Sequence, residues 1–403
     1  MAATGLRKPG ISRKATFNSK GKDMQVKQLS LKSTASAETA LAPLAGINPQ
    51  LVTVFGAVPF FAGKACLASL RLAFPAAAII GCSTAGEISN SGVSDGSCVV
   101  TAVNFDATRI KAASTPLAGM EDSQAAGARI GAELAAPDLR ALLVFGPGVQ
   151  INGSALVEGI ASRVGTAAPI TGGLAGDGGA FAQTWTLGPA GASDNAIVAV
   201  GLYGDALDFA HGSFGGWEPF GPARKVTRCD GNVLYELDGE PALAVYKRYL
   251  GDHAKGLPAS GLLFPFAMLG EDHDAIGLIR TILGVDEASG SLTLAGAIDP
   301  NGYLKLMHAS TDRLVNGAEA AAEAAREMHQ SSGDSLAILV SCVGRKLVMG
   351  DRGDEEVEAV ADVFGSKATL TGFYSYGEIS PFTPGSACHL HNQTMTITWM
   401  GEK

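Results

Sequence analysis

Two nine-residue segments with one shared pattern, Gly81–Ser89 and Gly372–Ser380, constrain the fold of this chain more than any other feature. Both fit G-x-x-[ST]-x-G-E-I-S, with five identities and one Ser/Thr exchange in nine positions. Each follows a short apolar run typical of a buried strand. The agreement in sequence and context indicates an internal duplication, so the fold must contain the repeated unit at least twice.

A third and weaker copy of the unit lies between the other two. Ala141–Phe145 is predicted as a strand, Ser154–Val164 as a helix, and Pro169–Asp177 ends in a glycine followed by an acid. A strand over Ala196–Leu202 completes the copy. The spacing is irregular, so a solenoid is not indicated. Units of strand, helix, strand, glycine loop and strand predict an α/β fold, with two related layered halves and mixed sheets.

The predicted domain boundaries follow changes in composition and pattern. Turn signals on either side of residue 236 place a boundary there, which divides the body into residues 36–235 and residues 236–403. Residues 1–35 are predicted to be a disordered basic tail, since eight basic side chains oppose only Asp23 in the first 32 positions. Contact of this tail with nucleic acid or a membrane stays open as an alternative.

The composition excludes several classes of protein. Apolar residues make up 46% of the 403 positions and charged residues only 17%, which favours a large buried core over disorder. The net charge is −9, and without the tail's excess of seven positive charges the body carries about −16, so no nucleic-acid-binding domain is expected. Neither a membrane span nor a secretory signal is evident, which predicts a cytoplasmic protein whose six cysteines are reduced.

The two repeated Gly-Glu dipeptides are candidate ligand contacts. Gly86 and Gly377 would let the backbone turn after a strand, and the carboxylates of Glu87 and Glu378 would then project from the turn. Two such loops could face a shared pocket that binds an amine or another polar group. In the alternative interpretation each carboxylate accepts backbone N–H bonds and fixes its own turn, and one loop could serve each purpose.

Two other segments are similar to known functional loops without matching them. Gly172–Gly179 fits neither phosphate-loop pattern and no lysine follows it, so a mobile ligand-facing loop that includes Asp177 is favoured over a phosphate cradle. Ser83 and Cys82 lie in Gly81–Gly86, where the spacing is one residue too long for a nucleophile elbow and no helix follows. An acyl-transfer enzyme is therefore the least favoured interpretation.

The C-terminal histidines suggest a metal or haem site. His389 and His391 lie two residues apart, so both imidazoles would point to one face of an extended strand and could chelate a metal. His391 alone could be the axial ligand of a haem, with Tyr374 and Tyr376 among the aromatic residues that cover the macrocycle. The alternative is a hydrogen-bonded histidine at the start of a strand.

A tryptophan in a turn-rich loop is the last candidate. Trp217 lies in Gly216–Pro222, a segment that also contains four glycines or prolines, an acidic residue and a phenylalanine. The side chain either lines a pocket or fills the junction between the two halves, and the sequence leaves both possibilities open.

Together these motifs resemble the FIST family, prokaryotic sensory modules with an N-terminal and a C-terminal part. The resemblance covers roughly residues 45–398. It rests on six segments: Gly81–Glu87, Thr171–Asp177, Gly216–Pro222, Leu234–Ala242, Gly372–Glu378 and His391–Thr394. Residues 36–235 are accordingly identified as the N-terminal FIST domain and residues 236–403 as the C-terminal one.

The resemblance implies a non-enzymatic sensor of a small molecule, such as an amino acid or another metabolite. Because the sequence shows no kinase, cyclase or chemoreceptor output module, it is similar to stand-alone members, of which some bind haem, sense nitric oxide and regulate a partner histidine kinase. For such a member we expect haem b, with His391 as the preferred iron ligand, His211 as the second choice, and Trp217, Tyr374 and Tyr376 nearby. The ligand contacts expected from the motifs are Glu87, Glu378, Gly86, Gly377, Ser83, Asp177 and Asn392. A homo-oligomer is compatible with this function.

Overall fold

The fold is described from a computed structural model that covers residues 24–34 and 37–403. Within these residues the chain forms mixed sheets with helices packed against them, which confirms the predicted α/β class. Three sheets of six strands share one plan, and a fourth sheet of nine strands belongs to an insertion, defined here as residues 215–310. The repeated unit therefore occurs three times.

The elements follow this threefold division along the chain. The first repeat contains β1 (Gln25–Leu31), α1 (Ala37–Ala45), β2 (Leu51–Gly56), α2 (Pro59–Ala62), α3 (Lys64–Ala73), β3 (Ala78–Ser83), β4 (Glu87–Ser89), β5 (Gly92–Ser94) and β6 (Cys98–Asn104). The second contains β7 (Arg109–Pro116), α4 (Ser123–Leu134), β8 (Leu139–Gly146), α5 (Gly153–Val164), β9 (Ile170–Leu174), β10 (Thr186–Gly188), β11 (Gly191–Ser193) and β12 (Ala196–Tyr203).

The third repeat is split by the insertion. It begins with β13 (Leu207–Phe214), after which the insertion contributes β14 (Glu218–Pro219), β15 (Arg224–Asp230), β16 (Val233–Leu237), β17 (Glu240–Pro241), α6 (Ala242–Leu250), β18 (Phe266–Leu269), β19 (Ala275–Arg280), β20 (Ile282–Asp286), β21 (Ser291–Leu294) and β22 (Tyr303–His308). The repeat resumes with α7 (Thr311–Met328), β23 (Ser335–Cys342), α8 (Val343–Met349), α9 (Gly353–Phe364), β24 (Ala368–Ser375), β25 (Gly377–Pro381), β26 (Cys388–His391) and β27 (Met395–Glu402).

Each six-stranded sheet is built around two parallel strands. These pairs are β2 with β3, β8 with β9, and β23 with β24. The strand that ends each repeat, β6, β12 or β27, runs antiparallel beside the first of the two. The strand that begins each repeat, β1, β7 or β13, lies outside it. The predicted order of strand, helix, strand, glycine loop and strand is thus confirmed in all three repeats.

The hairpin after the second parallel strand leaves its own sheet in every repeat. β4 pairs with β24 of the third repeat, β10 with β3 of the first, and β25 with β9 of the second. The exchange is cyclic, so each sheet takes its last two strands from another repeat. The Gly-Glu motifs mark the points at which the chain crosses from one sheet to the next.

One glycine in each repeat permits a close approach between the two parallel strands. A Cβ added to Gly81, Gly172 or Gly372 would lie only 1.8 to 1.9 Å from a carbonyl oxygen of the neighbouring strand. These carbonyl oxygens belong to Val54, Val144 and Leu339, the residues that lie opposite the three glycines in the parallel pairs. A side chain at these positions would collide with backbone, so the sheets themselves require the first glycine of the motif.

The three sheets share one apolar core. Phe55 lies between Phe145 and Phe373, with ring centroids 5.4 Å and 4.8 Å away, and all three rings are fully buried. Aromatic pairs at these separations add to the stabilisation that burial of their surface provides. The strand ends that carry the candidate site residues are positioned around this cluster.

Several local predictions are refined by the structure. Residues 25–31, assigned to the basic tail from the sequence, form β1 at the edge of the first sheet, while residues 1–23 lie outside the described part. The strands between residues 266 and 294 form two hairpins, because β19 pairs with β18 and β20 with β21. Residue 236 lies within β16, and the division into two domains stays a prediction. No helix of the described residues is long and apolar enough to cross a membrane.

Candidate functional site

The first of the repeated glutamates is built into the crossover between two sheets. Glu87 is 1% exposed and accepts a hydrogen bond from the hydroxyl of Thr84, at 2.5 Å. Its other oxygen accepts bonds from the backbone N–H and the hydroxyl of Ser97, at 2.9 and 2.8 Å. Burial raises the pKa of Glu87 and these bonds oppose the increase. The carboxylate therefore ties the crossover loop to the strand that returns after it.

Glu378 occupies the same place in the third repeat. It accepts hydrogen bonds from the Ser375 hydroxyl at 2.5 Å and from the N–H and hydroxyl of Thr394 at 3.2 and 3.0 Å, and burial raises the pKa of Glu378 to about 8. The second repeat has Thr186 at the matching register position, and its hydroxyl donates to the carbonyl of Ala196 at 2.7 Å. The geometry agrees with the interpretation in which each glutamate fixes its own turn, and a ligand contact at either one stays a prediction.

The residues beside the glutamates hold the same loops together. Ser83 is fully buried, donates to the carbonyl of Gly176 at 2.6 Å and accepts a bond from the backbone N–H of Trp185 at 2.8 Å. The backbone N–H of Tyr374, also buried, donates to the carbonyl of Gly86 at 2.8 Å. These contacts give the predicted site residues structural roles.

The structure brings Asp177 and Tyr376 together across two repeats. The Tyr376 hydroxyl donates to the Asp177 carboxylate and accepts a bond from the N–H of Gly179 at 2.9 Å. The same carboxylate accepts three backbone N–H bonds from residues 181–183. The side chain of Phe181 stacks on the Tyr376 ring with centroids 4.0 Å apart. The N–H groups of Gly176, Gly178 and Gly179 in the glycine-rich loop also donate to protein oxygens, so none of these three faces an external anion.

A surface groove of about 670 Å³ lies beside this loop. It is lined by residues 117–119, 147, 149–150, 182–184 and 194–195. The groove adjoins the C-terminal end of β8, where ligands of parallel sheets commonly bind. The expected contacts from the sequence are not among its lining residues, so the groove and the predicted contacts are separate places.

His391 is buried and both of its ring nitrogens face protein. Nε2 lies 2.8 Å from the carbonyl oxygen of Ser380, and Nδ1 lies 3.5 Å from the hydroxyl of Ser213. The ring of Phe382 packs edge-on at a centroid distance of 4.4 Å. Burial lowers the pKa of His391 to about 4, so the imidazole is neutral at pH 7. Haem iron needs a free imidazole nitrogen, and the arrangement at His391 does not fit that role.

His211 differs from His391 because its ring makes no hydrogen bond with the described residues. The side chain is 3% exposed, Nδ1 is buried without a partner, and burial lowers the pKa of His211 to about 4. One requirement of an iron ligand, a free nitrogen, is therefore met. Neither the 670 Å³ groove nor a second groove of about 400 Å³ is lined by this histidine. Within the described residues no group of three or more His, Cys, Asp or Glu side chains is placed to hold a metal ion.

The turn between β26 and β27, residues 391–394, combines burial with unsatisfied amides. Asn392 is 1% exposed and its Oδ1 has no hydrogen-bond partner among the described residues. Gln393 is fully buried; its Nε2 donates to the carbonyl of Leu262 at 2.9 Å, which leaves Oε1 without a donor. An unsatisfied buried polar group costs roughly 1–3 kcal/mol, so two in succession need an explanation.

The backbone of Gln393 adds a second cost. Its φ is 63°, in the left-handed region that favours glycine. The first repeat has Gly96, with φ 72°, at the matching position before the returning strand. A non-glycine residue held in this region stores roughly 1–3 kcal/mol, and such strain is often found at ligand-binding sites. Gln393 therefore occupies a position where its backbone and its side chain both oppose stability.

This turn is also where the insertion meets the third repeat. The indole N–H of Trp217 donates to the carbonyl of Gln393 at 2.7 Å, and Leu262 accepts from the same residue's amide. On the other side, a Cβ on Gly344 would lie 2.4 Å from Gln393 Nε2, so only a glycine leaves room for the amide. We call this contact between the insertion and the turn at residues 391–394 the junction. Trp217 lies in it, in agreement with the interpretation that its side chain fills a contact between the two halves.

Comparison with known families assigns the chain. A model of the FIST N domain matches residues 50–240, and a model of the FIST C domain matches residues 242–381. The chain belongs to the FIST family. FIST domains are sensory domains of signal transduction.

Individual relatives of this FIST protein add little about its ligand. Two uncharacterised proteins of Mycobacterium tuberculosis, from strains H37Rv and CDC 1551, are each 25% identical over 221 residues, which is 51% of this chain and 55% of theirs. An uncharacterised protein of Methanocaldococcus jannaschii is 34% identical over 87 residues, 22% of this chain and 17% of that protein. The FIST chain thus spans about half the length, or less, of the curated relatives it matches. The crystal structure of a cyanuric acid hydrolase from A. caulinodans covers 94% of this chain and 99% of its own at 10% identity, with a TM-score of 0.37.

Two residues of the junction were missed by the sequence analysis of this FIST protein. Gln393 belongs to the segment His391–Thr394, but that segment does not mark it as unusual. Only alignment of its turn with the turn at Gly96 would have shown a glutamine where the first repeat has glycine. Arg280 ends β19 and is 3% exposed, yet nothing in the sequence around it distinguishes it from a surface arginine. Its burial depends on contacts with β26, more than 100 positions further along the chain.

Proposed function

We propose that this FIST protein senses a small molecule bound at the junction, meaning the contact between the insertion and the turn at residues 391–394. The observation that carries the proposal is Gln393, which is fully buried, has a left-handed backbone and leaves its Oε1 without a donor. A ligand that donates hydrogen bonds to Asn392 and Gln393 would satisfy both amides. Its binding energy would offset the strain at this turn.

The junction also offers a route from binding to signalling. The turn contacts Trp217 and Leu262 of the insertion and leads directly into β27, the second strand of the third sheet. A ligand that fits one arrangement of insertion and core better than another would shift the balance between them. A partner protein can then read the arrangement of the insertion. We propose that this partner is a signalling histidine kinase in the cytoplasm, and that the sensor itself is not an enzyme.

A thermal-shift screen of metabolites tests the proposed site. A compound that binds only the folded protein raises the melting temperature by mass action. We expect the rise to disappear in Gln393→Gly, which keeps the left-handed turn and removes the amide. The control is Asn48→Gly, since Asn48 also has a positive φ (52°) but is exposed and distant in sequence from the turn. A shift of equal size in Gln393→Gly and in the unaltered protein would place the ligand elsewhere.

A haem-based nitric oxide sensor is the second candidate, and the free ring of His211 favours it. In this version haem b would be bound by His211, since His391 has no free nitrogen. Addition of haem should then produce a Soret band that His211→Ala removes and His391→Ala retains. A protein that shows no Soret band after haem addition contradicts the haem version and leaves the metabolite version intact.

An acyl-transfer enzyme remains the least supported alternative. Ser83 is fully buried and its hydroxyl donates to a backbone carbonyl, while burial raises the pKa of Cys82 well above its usual value. Neither side chain is thereby activated as a nucleophile. Hydrolysis of an activated ester that is lost in Ser83→Ala or Cys82→Ala would support this alternative.

A further inference from the structure

Arg280 is a buried cation that the described residues do not neutralise. It is 3% exposed, and its three hydrogen bonds all go to backbone carbonyls. Nε donates to Ala297 at 3.0 Å, and Nη1 donates to Ile279 at 3.1 Å and to Leu390 at 3.3 Å. Carbonyl groups are dipoles without net charge. Among the described residues no carboxylate lies within 4.0 Å of this guanidinium to pair with it.

The remaining nitrogen of the guanidinium is open. Nη2 carries two N–H groups, no described residue accepts from either, and this nitrogen is not among the fully buried unpaired atoms, so solvent reaches it. Burial lowers the pKa of Arg280 to about 10, so the side chain still carries its positive charge at pH 7. A guanidinium that is largely buried, has no acidic partner and keeps one nitrogen open to solvent is a favourable place for an anion to bind.

The surroundings of Arg280 are shaped to hold the guanidinium in place. A Cβ on Gly296 would lie 3.0 Å from Nε and 3.1 Å from Cζ, so the head group rests on a bare glycine backbone whose φ is 128°. His389 is half-buried nearby, and its ring has no hydrogen-bond partner among the described residues. Phe382 packs against His389 at a centroid distance of 5.7 Å. These groups contribute hydrogen-bonding capacity and an apolar wall, and the acid whose charge acts on His389 is Glu158, which is exposed on α5.

Arg280 and the unsatisfied amides belong to one region. Nη1 contacts the carbonyl of Leu390, and Asn392 follows Leu390 by two residues. The Cα atoms of Leu390 and Asn392 can lie at most roughly 7 Å apart, which is the length of a small organic molecule. Such a molecule would place an anionic group on Arg280 and a hydrogen-bond donor on the amide oxygens of Asn392 and Gln393.

We propose that Arg280 binds the carboxylate of a small molecule whose other end donates hydrogen bonds to Asn392 and Gln393. This inference rests on the proposed function and names its class of ligand. A carboxylate is preferred to a phosphate because one guanidinium group carries a single positive charge and therefore balances a single negative charge. A phosphate dianion would bring a second charge into a buried place that offers no second cation.

Matched pairs of compounds test the charge requirement. The probes are lactate, 4-hydroxybutyrate and 4-aminobutyrate, each beside its primary amide, with inorganic phosphate as a separate arm. We expect at least one carboxylate to raise the melting temperature and its amide to do so less or not at all. Arg280→Met should weaken that carboxylate roughly tenfold to hundredfold, the usual loss for a hydrogen bond to a charged group. The control Arg326→Met, at an exposed position of α7, should bind as the unaltered protein does.

The outcomes separate this inference from the proposed function. In one outcome the amides raise the melting temperature of the unaltered protein as much as their carboxylates do, and this rise is lost in Gln393→Gly. That result supports the proposed site and contradicts the carboxylate requirement. Phosphate as the only active probe overturns the carboxylate as well, and so does a panel without any shift. If Arg280→Met fails to fold, Arg280→Lys keeps the charge without the planar fork. If the carboxylate raises the melting temperature of Arg280→Lys less than that of the unaltered protein, the inference is supported. If the rise is the same in both proteins, Arg280 does not bind the carboxylate.

Discussion

Two arginines are buried in the part of the chain that the structure describes, and their surroundings differ. Arg345 is fully buried; its Nε and Nη2 donate to Glu356 at 3.2 and 2.8 Å, and its remaining bonds reach the carbonyls of Gly215 and Leu314. Arg280 is nearly as buried, but it has carbonyl partners only. Where a buried charge serves the fold, the chain supplies the counter-charge. The missing counter-charge at Arg280 indicates a position that is completed by something else.

The same contrast separates whole regions. Near Arg345 the Glu356 carboxylate also accepts a bond from the hydroxyl of Ser341 at 2.8 Å, so both partners are satisfied. At the junction, Asn392 and Gln393 keep unsatisfied oxygens. Removing a polar group should therefore lower the free energy of unfolding strongly in the first region and hardly at all in the second.

The largest effect is expected at the paired arginine. Glu356→Gln removes the counter-charge of Arg345 and leaves a buried cation, so we expect the free energy of unfolding to fall by about 3–5 kcal/mol. Urea unfolding measures the loss. The control is Glu358→Gln, an exposed position on the same helix, which should change stability by less than about 0.5 kcal/mol. A loss below about 1 kcal/mol for Glu356→Gln would remove the contrast between the two arginines.

Glu378 should show a smaller, pH-dependent effect. Its pKa of about 8 in the folded protein lies above the ordinary value of 4.5, so the folded state holds the proton more tightly. The resulting stabilisation is complete below about pH 4.5 and is lost as the pH rises through 8. Stability should therefore fall with pH in this window, by at most about 1.4 kcal/mol per pH unit.

Unfolding curves at pH 5, 6, 7 and 8 measure this slope. Glu378→Gln should be flatter than the unaltered protein, because the neutral amide has no proton to lose. The matched variant is Glu355→Gln, which removes a carboxylate from α9 that is only partly buried. Equal slopes in Glu378→Gln and the unaltered protein would show that Glu378 is already ionised at pH 5.

Arg280→Met tests the other half of the comparison. The substitution loses three hydrogen bonds to carbonyls and also removes an unpaired buried charge. These effects oppose each other, so we expect stability without ligand to change by less than about 1.5 kcal/mol. The test is urea unfolding in a buffer free of carboxylates. A loss as large as that of Glu356→Gln would mean that Arg280 is a structural arginine like Arg345.

Part of this architecture could be predicted from the sequence because it depends on local patterns. The buried strands appear as apolar runs, and the glycines at 81, 172 and 372 appear because each parallel pair requires one. The cyclic exchange of hairpins could not be predicted, since nothing in Glu87–Ser94 specifies which sheet edge the hairpin joins. Site residues named from the repeated motifs proved to be satisfied within the fold, as Glu87 and Glu378 show.

The junction was harder to predict because its features are differences rather than patterns. A left-handed glutamine is visible only when Gln393 is compared with Gly96, and an unpaired cation only when the surroundings of Arg280 are known. Asn392 was identified through the family resemblance, whereas no local signal marked its neighbour. Departures from a repeat thus point to a candidate ligand site more directly than the repeat itself.

The smallest expected effect on stability is that of Gln393→Gly. The variant loses the hydrogen bond to Leu262 and gains backbone freedom in the unfolded chain, which together cost about 1–2 kcal/mol. It also relieves the left-handed backbone and removes an unsatisfied oxygen, which offsets about the same amount. We therefore expect a net change within about 1 kcal/mol by urea unfolding. The reciprocal variant, Gly96→Gln, introduces the same strain in the first repeat without a junction to receive the amide and should be destabilised by about 1–3 kcal/mol. If both variants lose stability equally, glutamine is simply the better residue at position 393, and its strain needs no ligand to explain it.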